Sequence, residues 1–231
     1  LIAAHGERRP EAANEGVTGI ARAVRAHKIV SEVAAGFING TPAIPDALGG
    51  LTARKVLVYP LFAANGYFTR DRLVQVLDEA NGQGRAIHIL QPLGLDPGLP
   101  KLVADRVTQV ARGIGIAPAA CSVILLAHGS RRNPASRKAT EWVAAEITGL
   151  GVYRSVKVAF LEERPLPEEV ATSCPGPAIV VGMFSGEGLH GARDAPRLIA
   201  MLGRADIAYA GVIGNSPGVD EIIVRAVQQA L

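Results

Sequence analysis

Long apolar runs are missing from this 231-residue chain; stretches such as 123–127 and 178–181 are broken at once by a histidine or a glycine. A membrane-spanning helix needs about 18 consecutive apolar residues, so no membrane span is expected. Aromatic residues make up only 4% of the chain, the net charge is +3, and no block of Lys and Arg stands out, so nucleic acid is not an expected partner. The two cysteines, Cys121 and Cys174, show no Cys-x-x-Cys spacing and are too few for a disulfide framework. Each precedes an apolar run, reads as a small buried hydrophobe and is expected to be unbonded, which fits a cytoplasmic location. His5, Glu7, Arg8 and Arg9 interrupt the N-terminus, unlike a signal peptide, and the opening at Leu1 rather than Met leads us to expect preceding residues. Familiar nucleotide and hydrolase motifs are absent too. There is no Gly-x-x-x-x-Gly-Lys-Ser/Thr loop, no Gly-x-Gly-x-x-Gly after a first strand and no Gly-x-Ser-x-Gly elbow. Ala4 and Ala127 stand where an Arg-His-Gly phosphatase signature needs arginine.

What the chain does have is an internal repeat. Residues 1–9, ending Ala4-His5-Gly6-Glu7-Arg8-Arg9, read like 124–132, ending Ala127-His128-Gly129-Ser130-Arg131-Arg132, at an offset of 123 (128 − 5). The same offset pairs Phe37 with Phe160, Pro42 with Pro165, Val58 with Val181, and Arg70-Asp71 with Arg193-Asp194. It falls to 120 near the end, pairing Pro97-Gly98 with Pro217-Gly218, and the Gly-rich turn at 81–85 absorbs the slip.

Each half reads as alternating strand and helix. In the first half, strands are expected at 1–4, 29–37, 56–61 and 86–90, with helices at 11–26, 45–51, 70–81 and 99–111. In the second, strands fall at 123–127, 156–161, 178–184 and 207–212, with helices at 134–148, 166–172, 192–202 and 219–230. This alternation predicts an α/β protein of two tandem flavodoxin-like lobes, each a four-stranded parallel sheet of order 2-1-3-4 flanked by helices. The lobes are expected at residues 1–113 and 121–231, joined at the small-residue stretch 113–120.

Ligands of open α/β sheets bind beyond the carboxyl ends of the strands. There the second half places His128 after its first strand, Glu162 after its second and His190 in the loop after its third. Imidazole with carboxylate suits a borderline divalent metal, although a strand-end histidine also serves as a cap or a backbone partner. The repeat supplies an internal control: the matching first-half residues are His5, Asn39 and Tyr67. One histidine is kept and two ligands are lost, as expected where one copy carries the chemistry.

These residues carry a resemblance. Residues 127–131 (Ala-His-Gly-Ser-Arg), 159–162 (Ala-Phe-Leu-Glu) and 188–196 (Gly-Leu-His-Gly-Ala-Arg-Asp-Ala-Pro) resemble the class II tetrapyrrole chelatases, in particular the sirohydrochlorin cobalt- and iron-chelatases in their long, two-repeat form. The resemblance implies ATP-independent insertion of Co²⁺ or Fe²⁺ into sirohydrochlorin or a similar tetrapyrrole of cobalamin or siroheme synthesis. It implies a monomer or homodimer with no tightly bound cofactor, the metal being a substrate. His128, His190 and Glu162 are then the catalytic and metal-holding residues, while Arg131, Arg193, Ser130, Tyr67 and His5 contact the tetrapyrrole. Two other classes stay open: a non-catalytic metal- or tetrapyrrole-binding protein, and an unrelated α/β enzyme sharing only the lobe fold.

Overall fold

The computed structural model describes residues 1–7, 14–186 and 195–231. The first repeat runs β1 (Ile2–Ala4), α1 (Glu15–Ala26), β2 (Ala35–Phe37), α2 (Ile44–Gly49), β3 (Lys55–Leu61), α3 (Leu73–Ala80), β4 (Ala86–Ile89) and α4 (Leu99–Gly113). The second runs β5 (Ser122–Ala127), α5 (Ala135–Gly149), β6 (Ser155–Phe160), α6 (Pro167–Thr172), β7 (Ala178–Gly182), α7 (Ala195–Met201), β8 (Ile207–Val212) and α8 (Val219–Ala230). The strands form two four-stranded parallel sheets, ordered β2-β1-β3-β4 and β6-β5-β7-β8. This is the expected 2-1-3-4 order in both halves.

The continuous apolar run of β5 is explained by its place. Every residue of Ser122–Ala127 is buried, with β6 on one side and β7 on the other. In the first repeat, Ile44 and Leu48 of α2 and Val76 and Leu77 of α3 pack onto Ala3 and Val58 of the sheet. In the second, Val170 of α6 and Ile199 of α7 pack onto Ile124, Leu126 and Val180. Both short helices, α2 and α6, open with a proline in the first turn, where a missing N–H costs nothing. Cys121 and Cys174 are free and buried, and burial pushes both thiols up.

Several element boundaries differ from expectation. The strand expected at 29–37 shrinks to Ala35–Phe37, because β2 pairs only with β1 and β1 offers only Ile2–Ala4. The helix expected from residue 70 begins with a π-helical turn at Phe68–Arg72 before α3. The strand expected at 178–184 stops at Gly182. The first residues of two expected helices, 11–13 and 192–194, lie outside the described residues.

The division into units differs more. The chain forms two compact units, one of Leu1–Asp96 with Pro217–Leu231, the other of Pro97–Ser216. These compact units do not coincide with the repeats expected at 1–113 and 121–231: each unit takes its final helix from the other repeat. In unit 1, α8 packs on α1 and β3. His27 Nε2 lies 3.3 Å from Asp220 Oδ2, and Lys55 Nζ donates to the carbonyl of Ala230 at 3.4 Å. In unit 2, α4 packs on α5, β7 and β8. Arg106 donates to the carbonyl of Ala210 at 2.8 Å, and the Tyr153 hydroxyl donates to the carbonyl of Ala104 at 2.6 Å. The Tyr153 oxygen also accepts from Thr108, 2.9 Å away.

The exchange has a measurable consequence. Ile223 of α8 is 1% exposed, so Ile223→Ala removes packing from the unit built by the first repeat. We expect a loss of about 2–5 kcal/mol, with amide protection falling first in β1–β4 by hydrogen exchange. Loss confined to β5–β8 would return α8 to its own repeat.

Candidate metal-handling site

The site is built by the turn that follows β5. The carbonyl of His128 accepts the N–H groups of Leu161 (3.1 Å) and Glu162 (3.0 Å), so the parallel register of β5 and β6 delivers residue 162 beside residue 128. Gly129 follows with φ +73°, and a Cβ there would lie 2.8 Å from Phe160 Cβ and from Glu163 Cγ. Only glycine suits both the left-handed backbone and the close approach.

That geometry sets the state of the imidazole. His128 Nδ1 lies 3.0 Å from the carbonyl of Gly129. A carbonyl only accepts, so Nδ1 carries the proton and Nε2 the lone pair. Nε2 stands 3.6 Å from Glu162 Oε1. This is long for a hydrogen bond, but it fits a shared cation: two donors at roughly 2.1 Å in tetrahedral array are about 3.4 Å apart. The two side chains are 40% and 61% exposed, so an incoming ion has access to both.

A second carboxylate anchors the turn. Glu163 Oε1 accepts the Ser130 N–H at 3.0 Å, and Oε2 accepts Arg137 Nη2 at 2.8 Å and Nε at 3.2 Å. Burial alone pushes Glu163 up, but the Ser130 N–H and the Arg137 guanidinium outweigh it and hold the carboxyl below its usual value. The guanidinium also lies 4.5 Å from the centroid of the Phe160 ring.

Of the residues expected at the site, the structure brings His128 and Glu162 together. Arg131 is exposed and its Nε donates to the carbonyl of Glu162 at 3.3 Å. The Ser130 hydroxyl accepts from the N–H groups of Arg132 (3.3 Å) and Asn133 (3.2 Å), so it closes the turn. His190 and Arg193 lie outside the described residues, and among the described residues no group of three His, Cys, Asp or Glu assembles. Glu163 and Arg137 were not expected. Their positions offer one legible signal: the first repeat holds Gly40 and Asn14 there.

The first repeat copies the backbone and changes the chemistry. Gly6 has φ +72°, and the carbonyl of His5 accepts the Asn39 N–H at 2.7 Å. Here the second strand delivers an amide, whose Nδ2 stands 3.3 Å from His5 Nε2. An amide nitrogen only donates, so the Nε2 lone pair of His5 is already engaged. The ring also packs edge-on against Phe68, centroids 4.5 Å apart, and Phe68 meets the exposed Tyr67 at 5.5 Å. Grooves of about 620 Å³ and 430 Å³ run along the equivalent edge strands β2 and β6, and neither is lined by His5 or His128.

The CbiX family model matches residues 1–110 and again residues 122–230. A probable sirohydrochlorin cobaltochelatase of Halobacterium salinarum is 24% identical over 98% of this chain and 89% of its own. A sirohydrochlorin cobaltochelatase of Methanopyrus kandleri is 28% identical over 48% of this chain and 96% of its own. Among solved structures, CbiX, described as the terminal enzyme for biosynthesis of siroheme in denitrifying bacteria, covers 100% of this chain and 98% of its own, with TM-score 0.86 and 28% identity.

Burial makes His5 a testable reporter. It lowers the imidazole below its ordinary value of 6.5 by penalising the charged form. The unfolded chain therefore takes up a proton at His5 while the folded chain resists it. As pH falls through about 6.5, this residue turns unfavourable to folding, and it is silent well above that pH. The His5 ring protons should titrate below 6.5 by NMR; a midpoint at or above 6.5 would contradict the burial argument.

Proposed function

The chain belongs to the CbiX family, and on that premise we propose that it inserts a divalent metal ion, Co²⁺ or Fe²⁺, into sirohydrochlorin or a close tetrapyrrole of cobalamin or siroheme biosynthesis. It is a metal chelatase that uses no ATP and keeps no resident cofactor, the metal ion being a substrate. One observation carries the reading: an imidazole with its lone pair on Nε2 stands 3.6 Å from an exposed carboxylate oxygen at the carboxyl edge of a parallel sheet.

Metalation exchanges one dication for two pyrrole N–H protons. Glu162 and His128 replace water on the arriving ion, and the carboxylate offsets part of its charge. His190, at the next strand end by sequence, supplies the second imidazole. As the ion passes to the ring nitrogens, each imidazole regains its lone pair and takes one of the two displaced protons, which it passes to solvent. Arg131 and Arg193 are suited to pair with substrate carboxylates, because a guanidinium offers a bidentate fork. Both imidazoles that hold the ion are thus acceptors of what the ring gives up.

A second reading is a non-catalytic metal- or tetrapyrrole-binding protein, and the first repeat favours it, with an amide on His5 and Tyr67 in place of an imidazole. Anaerobic mixing of the protein with sirohydrochlorin and Co²⁺, followed by visible absorption, separates the two. Acceleration over the uncatalysed reaction supports the chelatase; tight binding without acceleration supports the binder.

The same assay tests the residues. His128→Ala and His190→Ala should each slow insertion about 100-fold or more with the fold intact by circular dichroism. Tyr67→Phe should change the rate by less than about twofold, because a neutral tyrosine is a poor ligand near pH 7. If His5→Ala abolishes insertion and His190→Ala retains it, the roles of the repeats are reversed.

A further inference from the structure

The turns after β1 and β5 need one thing in common. Each carries a backbone N–H, of Glu7 and Ser130, that the first strand's sheet does not satisfy. The two repeats meet the need with different residues at the same two positions. In unit 1, Asn14 Oδ1 accepts the Glu7 N–H at 3.1 Å. Asn14 Nδ2 would lie only 2.7 Å from a Cβ on residue 40, and residue 40 is glycine. In unit 2, the counterpart of Gly40 is Glu163, which takes the Ser130 N–H itself, and the counterpart of Asn14 is Arg137, which holds that carboxylate at 2.8 Å. The Glu163 side chain, 15% exposed, crosses directly over the Cα of Gly129, the residue joining His128 to Ser130.

We propose that Arg137 and Glu163 are positioning residues for His128, clamping the turn so that the Gly129 carbonyl fixes Nδ1 and Nε2 faces the Glu162 carboxylate. Asn14 with Gly40 is the alternative form of the same clamp. Glu163 neighbours Glu162 in sequence but does different work: Glu162 reaches the imidazole, and Glu163 reaches the backbone beneath it. The guanidinium completes the device, since an unpaired carboxylate packed there would be costly.

The pairing dictates a transplant. Glu163→Gly alone removes the acceptor and should speed amide exchange at Ser130 and lower kcat for cobalt insertion about tenfold, with KM for sirohydrochlorin changed less than about twofold. Arg137→Asn combined with Glu163→Gly installs the first repeat's clamp, and should restore Ser130 protection and most of kcat. Glu163→Gln, which keeps an acceptor of the same shape, should fall between wild type and Glu163→Gly in both measurements. Equal kcat for wild type and Glu163→Gly, or a double variant no better than Glu163→Gly, would overturn the proposal. The rate measurement rests on the chelatase reading, whereas Ser130 exchange does not. A wild-type protein that inserts no cobalt fails that reading, and unaltered Ser130 exchange in Glu163→Gly fails the clamp.

Discussion

A backbone hydrogen bond between neighbouring strand ends sets what the rest of the site can be. In unit 2 the carbonyl of His128 accepts the N–H of Glu162, and in unit 1 the carbonyl of His5 accepts the N–H of Asn39. Parallel neighbours end on the same edge, so this bond brings the residue after the second strand against the imidazole after the first. The juxtaposition belongs to the register, not to the side chains. What the side chain then contributes is chemical: unit 2 sets a carboxylate beside Nε2, and unit 1 sets an amide that donates to it. One backbone arrangement yields two opposite chemical states, decided by residue 39 or 162.

Neither repeat completes its compact unit alone. The strands β1–β4 depend on α8, from the far end of the chain, and β5–β8 depend on α4, whose sequence lies with the first repeat. The residues that fasten α4 into unit 2 are long-range pairs such as Arg106 with Ala210 and Tyr153 with Ala104. Contacts of such separation are formed late and slow folding. Unit 1, for its part, cannot be completed until α8, the last helix of the chain, has been made. The turn that holds His128 therefore sits on a sheet whose stability depends on residues well before it in the chain.

Much of this was legible in the sequence because it rests on short-range pattern. The 2-1-3-4 sheets followed from apolar strand runs and helical spacing, and the pairing of His128 with Glu162 followed from their places at strand ends. The exchange of α4 and α8 was not legible. An amphipathic stripe such as Val219, Ile222, Ile223 and Val227 states that a helix buries one face, and nothing in it says which sheet receives that face. The clamp was missed for a related reason. Glu163 follows Glu162, and only the backbone geometry shows one carboxylate reaching an imidazole and the other an amide. The signal that existed was a double change, Asn14 and Gly40 against Arg137 and Glu163, which has meaning only when the two positions are known to touch.

The duplication also separates what the fold demands from what the chemistry demands. Gly6 and Gly129 keep the same left-handed φ, +72° and +73°, and Phe37 and Phe160 are both buried beneath them. Those features survive in the repeat that has lost its carboxylate, so the turn itself is a requirement of the sheet. The clamp belongs to the same class, because both repeats retain one although its residues differ. Glu162 does not. Asn39 shows that an amide fills its place with the strand-end hydrogen bond intact at 2.7 Å, so nothing in the folding of that corner calls for a charge. On the proposed chelatase function, the exposed carboxylate set 3.6 Å from an imidazole nitrogen serves the arriving cation rather than a packing need.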